Sequence, residues 1–176
     1  MKIFREYKPV IILFIISIIA SGSLALTQVI TIQTVISNQK AREKAMILSI
    51  LPGAHSYQLK NTSFGKQYFE GFSETAQSIG YAIYAQGRGF RGPIKILVGF
   101  SKDGIIFNIR IFEHKETPGL GAGITQAWFV GQFDGKKICE LSLDNIQAIT
   151  GATISSRAVV ESVKKSVEEF LKSVEK

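Results

Sequence analysis

Residues 9–39 carry no charge, and Val10, Ile11, Ile12, Leu13, Phe14, Ile15 and Ile16 run on unbroken before the first serine. The apolar run continues less densely to Ile30. As a helix, residues 9–30 would be about 33 Å long at about 1.5 Å per residue, which matches a hydrocarbon core of about 30 Å. Pro9 suits the first helical turn, where its missing N–H costs nothing. The pattern predicts a transmembrane helix over residues 9–30. The competing reading is a cleaved signal peptide with a small-residue site at Ser23-Leu24-Ala25, but the apolar run does not stop there. Lys2, Arg5 and Lys8 precede the span and Lys40, Arg42 and Lys44 follow it, so charge is nearly balanced. The dense apolar block lies nearer the N-terminus and favours an N-terminus inside.

Beyond the span the pattern is first helical. Ala41, Ala45 and Leu48, with Met46, Ile47, Ile50 and Leu51 offset, continue to Pro52-Gly53, which ends the helix. Four parts follow: a cytoplasmic N-terminus over residues 1–8, the span over 9–30, a stalk helix over 31–53 and a domain over 54–176 outside the cytoplasm. Residues 54–78 are weakly patterned, with one strand signal at Tyr68-Phe69-Glu70-Gly71-Phe72. Alternation then sharpens. Tyr81, Ile83 and Ala85 share one strand face, and so do Ile94, Ile96 and Val98. The stretch Gly87-Arg88-Gly89-Phe90-Arg91-Gly92-Pro93 is the turn between them. Asp103-Gly104 marks a tight connection to a strand with Ile105, Phe107, Ile109 and Ile111 on one face. An antiparallel meander with one buried and one partly polar face is expected.

Ile124 to Phe133 predicts a short helix around Trp128 and Phe129, with Trp128 read as a core residue in preference to a stacking one. Lys136 to Leu141 predicts a further strand or edge. In residues 155–174, Val159, Val160, Val163, Val167, Phe170, Leu171 and Val174 recur at helical spacing as one packing stripe. The fold class is α+β: a transmembrane helix and an antiparallel sheet packed by helices.

Composition narrows the chemistry. The net charge is +7, but the basic residues are scattered and no dense patch interleaves with aromatics. That is a solvated basic surface rather than a nucleic-acid footprint. The single Cys139 leaves no internal disulfide and no cysteine cluster, and reads as a small core residue. His55 and His114 lie in no metal-ligand spacing. No Gly-rich strand–turn–helix fingerprint for NAD is present.

Two stretches remain. Glu113-His114-Lys115-Glu116-Thr117-Pro118-Gly119-Leu120-Gly121-Ala122-Gly123 follows a strand and is rich in glycine. It is either an ordinary surface loop or backbone that lets a flat ligand approach closely. Thr150-Gly151-Ala152-Thr153 runs into the amphipathic helix. Open N–H groups and the helix dipole make that junction a seat for a phosphate. A threonine hydroxyl there could equally carry a phosphate covalently, or the stretch is a plain loop with Ser155 or Ser156 as N-cap.

Together, the N-terminal span, the Glu113 to Gly121 stretch and Thr150-Gly151-Ala152-Thr153-Ile154-Ser155-Ser156-Arg157-Ala158-Val159-Val160 make the chain resemble the G subunit of the Rnf electron-transport complex. More broadly, it is similar to the FMN-binding domain shared with the C subunit of the sodium-pumping NADH:quinone reductase. The resemblance implies FMN held through a phosphoester on Thr153, installed from FAD by a magnesium-dependent flavin transferase. It further implies that Thr150, Gly151, Ala152, Glu116, Thr117, Pro118, Gly119, Leu120 and Gly121 contact the cofactor. The expected function is electron relay between ferredoxin and NAD in an ion-translocating membrane complex. Its partners would be multi-span subunits and a second flavin-bearing subunit. Where the family usually has an acidic residue, three places before Thr150, this chain has Gln147. Two alternatives are service in the quinone reductase or another extracytoplasmic electron chain, and a membrane-anchored assembly module without redox activity.

Overall fold

Lys8–Ile50 forms a single helix, α1, with Pro9 in its first turn. The computed structural model describes residues 7–62 and 65–174. Most of the expected cytoplasmic N-terminus, residues 1–6, lies outside the described residues. The chain divides into two units, one up to Lys44 and one from Ala45 onward.

In the first unit, Val10–Ile32 is long and apolar enough to cross a membrane. Three of its hydroxyls bond back into the helix. Ser17 Oγ donates to the Leu13 carbonyl at 2.9 Å, Ser21 Oγ to the Ser17 carbonyl at 2.8 Å and Thr27 Oγ1 to the Ser23 carbonyl at 2.9 Å. No donor on these side chains then needs water, as a hydrocarbon environment demands.

The second unit is built on one antiparallel sheet in the order β1-β2-β3-β4-β5. The strands are β1 (Ser56–Asn61), β2 (Gln67–Phe72), β3 (Ser78–Arg88), β4 (Pro93–Phe100) and β5 (Ile106–Glu113). The alternation on β4 places Ile94, Ile96, Val98 and Phe100 on one face, all fully buried. Over them lies α3 (Thr153–Val174), which contributes Val159, Val160, Val163, Val167 and Phe170. Ile124, Phe129, Phe133, Ile138, Leu141 and Ile146 close the same core. The long helix starts two residues earlier than the apolar stripe indicates, at Thr153 rather than Ser155.

The opposite sheet face, expected to be partly polar, carries a second, smaller core: Ile47, Ile50 and Leu51, from the end of α1 and just beyond it, bury Phe69, Ala82 and Leu97 there. Two expectations are corrected. Ile105, Phe107, Ile109 and Ile111 do not share one face. The β4–β5 register shifts between Gly99 and Phe100, and Ile106 joins Ile109 in the α3 core while Phe107 packs on the α1 side. A bulge offsets the pleat by one residue, which reverses the faces. Finally, Lys136 to Leu141 is no strand. It makes one bridge, Ile105 to Lys137, then a 3-10 turn over Ile138–Glu140 that leaves Cys139 exposed rather than in the core.

Residues 121–133 hold a 3-10 turn (Gly121–Thr125), one α-turn, α2 (Ala127–Val130), and a second 3-10 turn (Gly131–Phe133). Phe129 is fully buried. Trp128, expected in the core, is 46% exposed, and its Nε1 donates to Gln126 Oε1. Adjacent positions on so short a helix point to different sides, and only one of them reaches the sheet.

Candidate functional site

The two sequence motifs fold into two tight turns. In the first, Leu120 N donates to the Thr117 carbonyl at 3.2 Å, and Gly119 has φ +77°. A type II turn requires the left-handed glycine in the third place and favours proline in the second. In the second, Ala152 N donates to the Ile149 carbonyl at 2.9 Å, and Gly151 has φ +77°. The turns touch: a Cβ on Gly151 would stand 3.3 Å from Leu120 Cδ2.

Ser156 joins the second turn to α3. Its hydroxyl accepts from Ile149 N at 3.0 Å and donates to the Ala152 carbonyl at 3.1 Å. The first intrahelical bond runs from Ser156 N to the Ala152 carbonyl. The N–H groups of Thr153, Ile154 and Ser155 therefore precede the hydrogen-bonded ladder. Thr153 occupies the first helical position with its side chain exposed, and no acidic residue stands in that turn. Neither Ser155 nor Ser156 is the N-cap.

A third segment, outside both motifs, completes the site. The β3–β4 hairpin turn, closed by Gly89 N to the Gly92 carbonyl at 2.8 Å, lies against Glu116. Glu116 is buried. Its Oε1 accepts from Arg91 N at 2.9 Å, and its Oε2 accepts from Phe90 N at 3.3 Å and from the Ser155 hydroxyl. Burial pushes the Glu116 carboxyl up, but the Ser155 hydroxyl and the N–H groups of Arg91, Phe90 and Gly92 outweigh it. The net effect holds the group below its ordinary value, as the charged form. Both neighbours leave room only for hydrogen: a Cβ on Gly89 would lie 2.6 Å from Glu116 Oε1, and one on Gly121 2.7 Å from Oε2.

Around these turns lies a cavity of about 520 Å³. It brings together Glu116, Thr117, Leu120 and Gly121 from one motif with Gly151, Ala152 and Thr153 from the other. Pro118, Gly119 and Thr150 shape the turns but do not line it. Phe90, Ile154 and Ser155 line it as well, though none of them was among the expected cofactor contacts. Only the aromatic residue inside a glycine-rich turn hinted at Phe90. A larger hollow of about 740 Å³ lies by β2 and the last turns of α3, but neither motif reaches it. The site residues converge on the smaller one, whose volume falls within the usual range of ligand pockets.

An FMN-binding domain family matches residues 89–168, which spans all three segments. The G subunit of the proton-translocating ferredoxin:NAD(+) oxidoreductase complex of Clostridium ljungdahlii is 39% identical over 112 residues, 60% of each chain. The G subunit of the ion-translocating oxidoreductase complex of Methanosarcina acetivorans is 32% identical over 173 residues, 92% of each chain. The chain belongs to the G-subunit family of Rnf-type ion-translocating oxidoreductases. The fold of this Rnf-type protein is also similar to the C subunit of the Na(+)-translocating NADH-quinone reductase from Parabacteroides distasonis. That match has a TM-score of 0.53 at 23% identity and covers 68% of this chain and 77% of that one.

FMN suits the residues present in this Rnf-type protein. Thr153 is exposed at a helix start free of acidic side chains, and the cavity beside it has apolar walls at Phe90, Leu120 and Ile154. Gln147, where the family pattern is usually acidic, is exposed, and the side chain of Gln132 brackets its backbone at 2.7 and 3.2 Å.

Proposed function

We propose that this chain is the electron-carrying subunit of a membrane-bound Rnf-type complex that couples electron transfer between ferredoxin and NAD to ion translocation, with FMN joined to Thr153 by a phosphoester. One observation carries the proposal: in a member of this family, an exposed threonine stands at the first position of α3, on the wall of an apolar-rimmed cavity.

The N–H groups of Thr153, Ile154 and Ser155 and the helix dipole favour the charge of a phosphodiester. The turns at Thr117-Pro118-Gly119-Leu120-Gly121 and Thr150-Gly151-Ala152 bring backbone and the Leu120 side chain to the ring. Glu116 ties the turns together. FMN supplies the redox chemistry when bound, taking up electrons and passing them on. A covalent tether prevents its loss and keeps its effective concentration high at donors and acceptors. Attachment is the work of a separate flavin transferase using FAD and magnesium. The Thr153 oxygen gains a bond to the FMN phosphorus, the pyrophosphate bond of FAD breaks, and AMP leaves with the hydroxyl proton.

With flanking charge nearly balanced, the dense apolar block at residues 10–16, nearer the N-terminus, supports an N-terminus inside and a domain on the extracytoplasmic face, reached through residues 31–53. The partners are the multi-span subunits of the complex and a second flavin-bearing subunit. The test is ferredoxin-dependent NAD reduction in washed membranes carrying either the native chain or Thr153→Ala. The proposal expects assembled complex in both and activity lost at least tenfold in the variant. Undiminished activity would contradict it.

A further inference from the structure

The side chain of Phe90 stands 71% exposed on the wall of the Thr153 cavity, in a turn that neither motif includes. Its backbone is not free to wander. Phe90 N and Arg91 N both donate to the buried Glu116 carboxylate, and Gly89 N closes the turn on the Gly92 carbonyl. Glu116 is held in turn by Ser155, two residues beyond Thr153 on α3. The turn is thus fastened, through one carboxylate, to the helix start that bears Thr153.

Two more apolar side chains are exposed at the same cavity: Leu120 at 50% and Ile154 at 56%. Exposed apolar side chains gathered around a cavity signal a binding surface rather than chance. Leu120 and Ile154 are aliphatic; Phe90 is the aromatic member of the wall. A flat, fused aromatic ring system packs on such a face through offset or edge contacts.

We infer that Phe90 is a flavin-contact residue, and that Glu116 is a positioning residue that holds Phe90 and Thr153 in register across the cavity. This rests on the reading of Thr153 as the flavin carrier. Glu116 acts through its hydrogen bonds to the turn and the helix, because both of its oxygens are engaged by protein donors.

The test is flavin fluorescence of the full chain in detergent, with Phe90→Trp beside Leu59→Trp and flavin loading measured by mass on the same samples. An indole in contact with a flavin quenches its fluorescence, whereas phenylalanine does not. Leu59 lies on β1, at the edge of the sheet, and does not line the cavity. The expected result is equal loading with several-fold lower fluorescence in Phe90→Trp than in Leu59→Trp. Adding Glu116→Ala to Phe90→Trp should restore much of the lost emission per flavin. Equal emission from the two tryptophan variants at equal loading would overturn the role of Phe90 and leave the carrier reading standing. No flavin on the native chain would overturn the carrier reading, and this inference with it.

Discussion

The Ser155 hydroxyl donates a hydrogen bond to the carboxylate of Glu116, joining the first turn of α3 to the loop that follows β5. Both residues are buried, at 1% and 5% exposure, so neither group has water to fall back on. Removing one partner leaves a desolvated charge short of a donor, and a hydrogen bond to a charged group contributes about 1.5–3 kcal/mol. Ser155→Ala should therefore lower stability by about 1–3 kcal/mol. Thermal melting of the full chain in detergent checks this, and a variant that melts with the native chain would show the contact to be idle.

The same carboxylate predicts a pH signature. Its folded-state pKa is depressed, since its hydrogen-bond donors outweigh the effect of burial. A depressed carboxyl stabilises the fold at pH values above its unfolded pKa, and that contribution disappears as pH falls through the folded value. The stability difference between native chain and Glu116→Gln should stay constant from about pH 7 to 5 and shrink below about pH 4, where free carboxylates protonate. Melting curves across that range test the sign; a difference that grows on acidification would contradict it.

Gly121 has no space for a methyl group. Its Cβ would meet Glu116 Oε2 at 2.7 Å, Glu116 Cβ at 2.9 Å and Ser155 Oγ at 3.0 Å. Gly131 meets nothing within 4 Å. Gly121→Ala should cost about 1–3 kcal/mol, in line with overpacking elsewhere, and should reduce the flavin content of chains matured in the host. Gly131→Ala should leave flavin content unchanged. Comparing absorbance at the flavin band per chain distinguishes the two.

Much of the fold was legible where burial follows a simple period. Ile94, Ile96 and Val98 on β4 and the valine stripe on α3 face the core as their spacing predicts. The polar β1 was not, because it is an edge strand with most side chains exposed. The faces of β5 were misread because the register shift at Gly99 and Phe100 leaves no mark in composition. Trp128 and Cys139 looked like core residues by type, but each sits on a short turn whose buried position is taken by its neighbour, Phe129 or Ile138. At the site, the glycines of the two motifs announced the tight turns. The Ser155–Glu116 bond, spanning 39 residues, and the docking of the Phe90 turn on Glu116 are tertiary relationships that local pattern does not encode.

The central claim is that Thr153 carries the flavin, and mass spectrometry of the chain from native membranes tests it most directly. Trypsin cleavage after Lys137 and Arg157 releases the peptide 138–157, which contains Thr150 and Thr153. The account predicts that this peptide carries one FMN less water, that fragmentation places it on Thr153, and that Thr153→Ala carries none. An unmodified peptide from an assembled, active complex, or a modification that persists in Thr153→Ala, would contradict it.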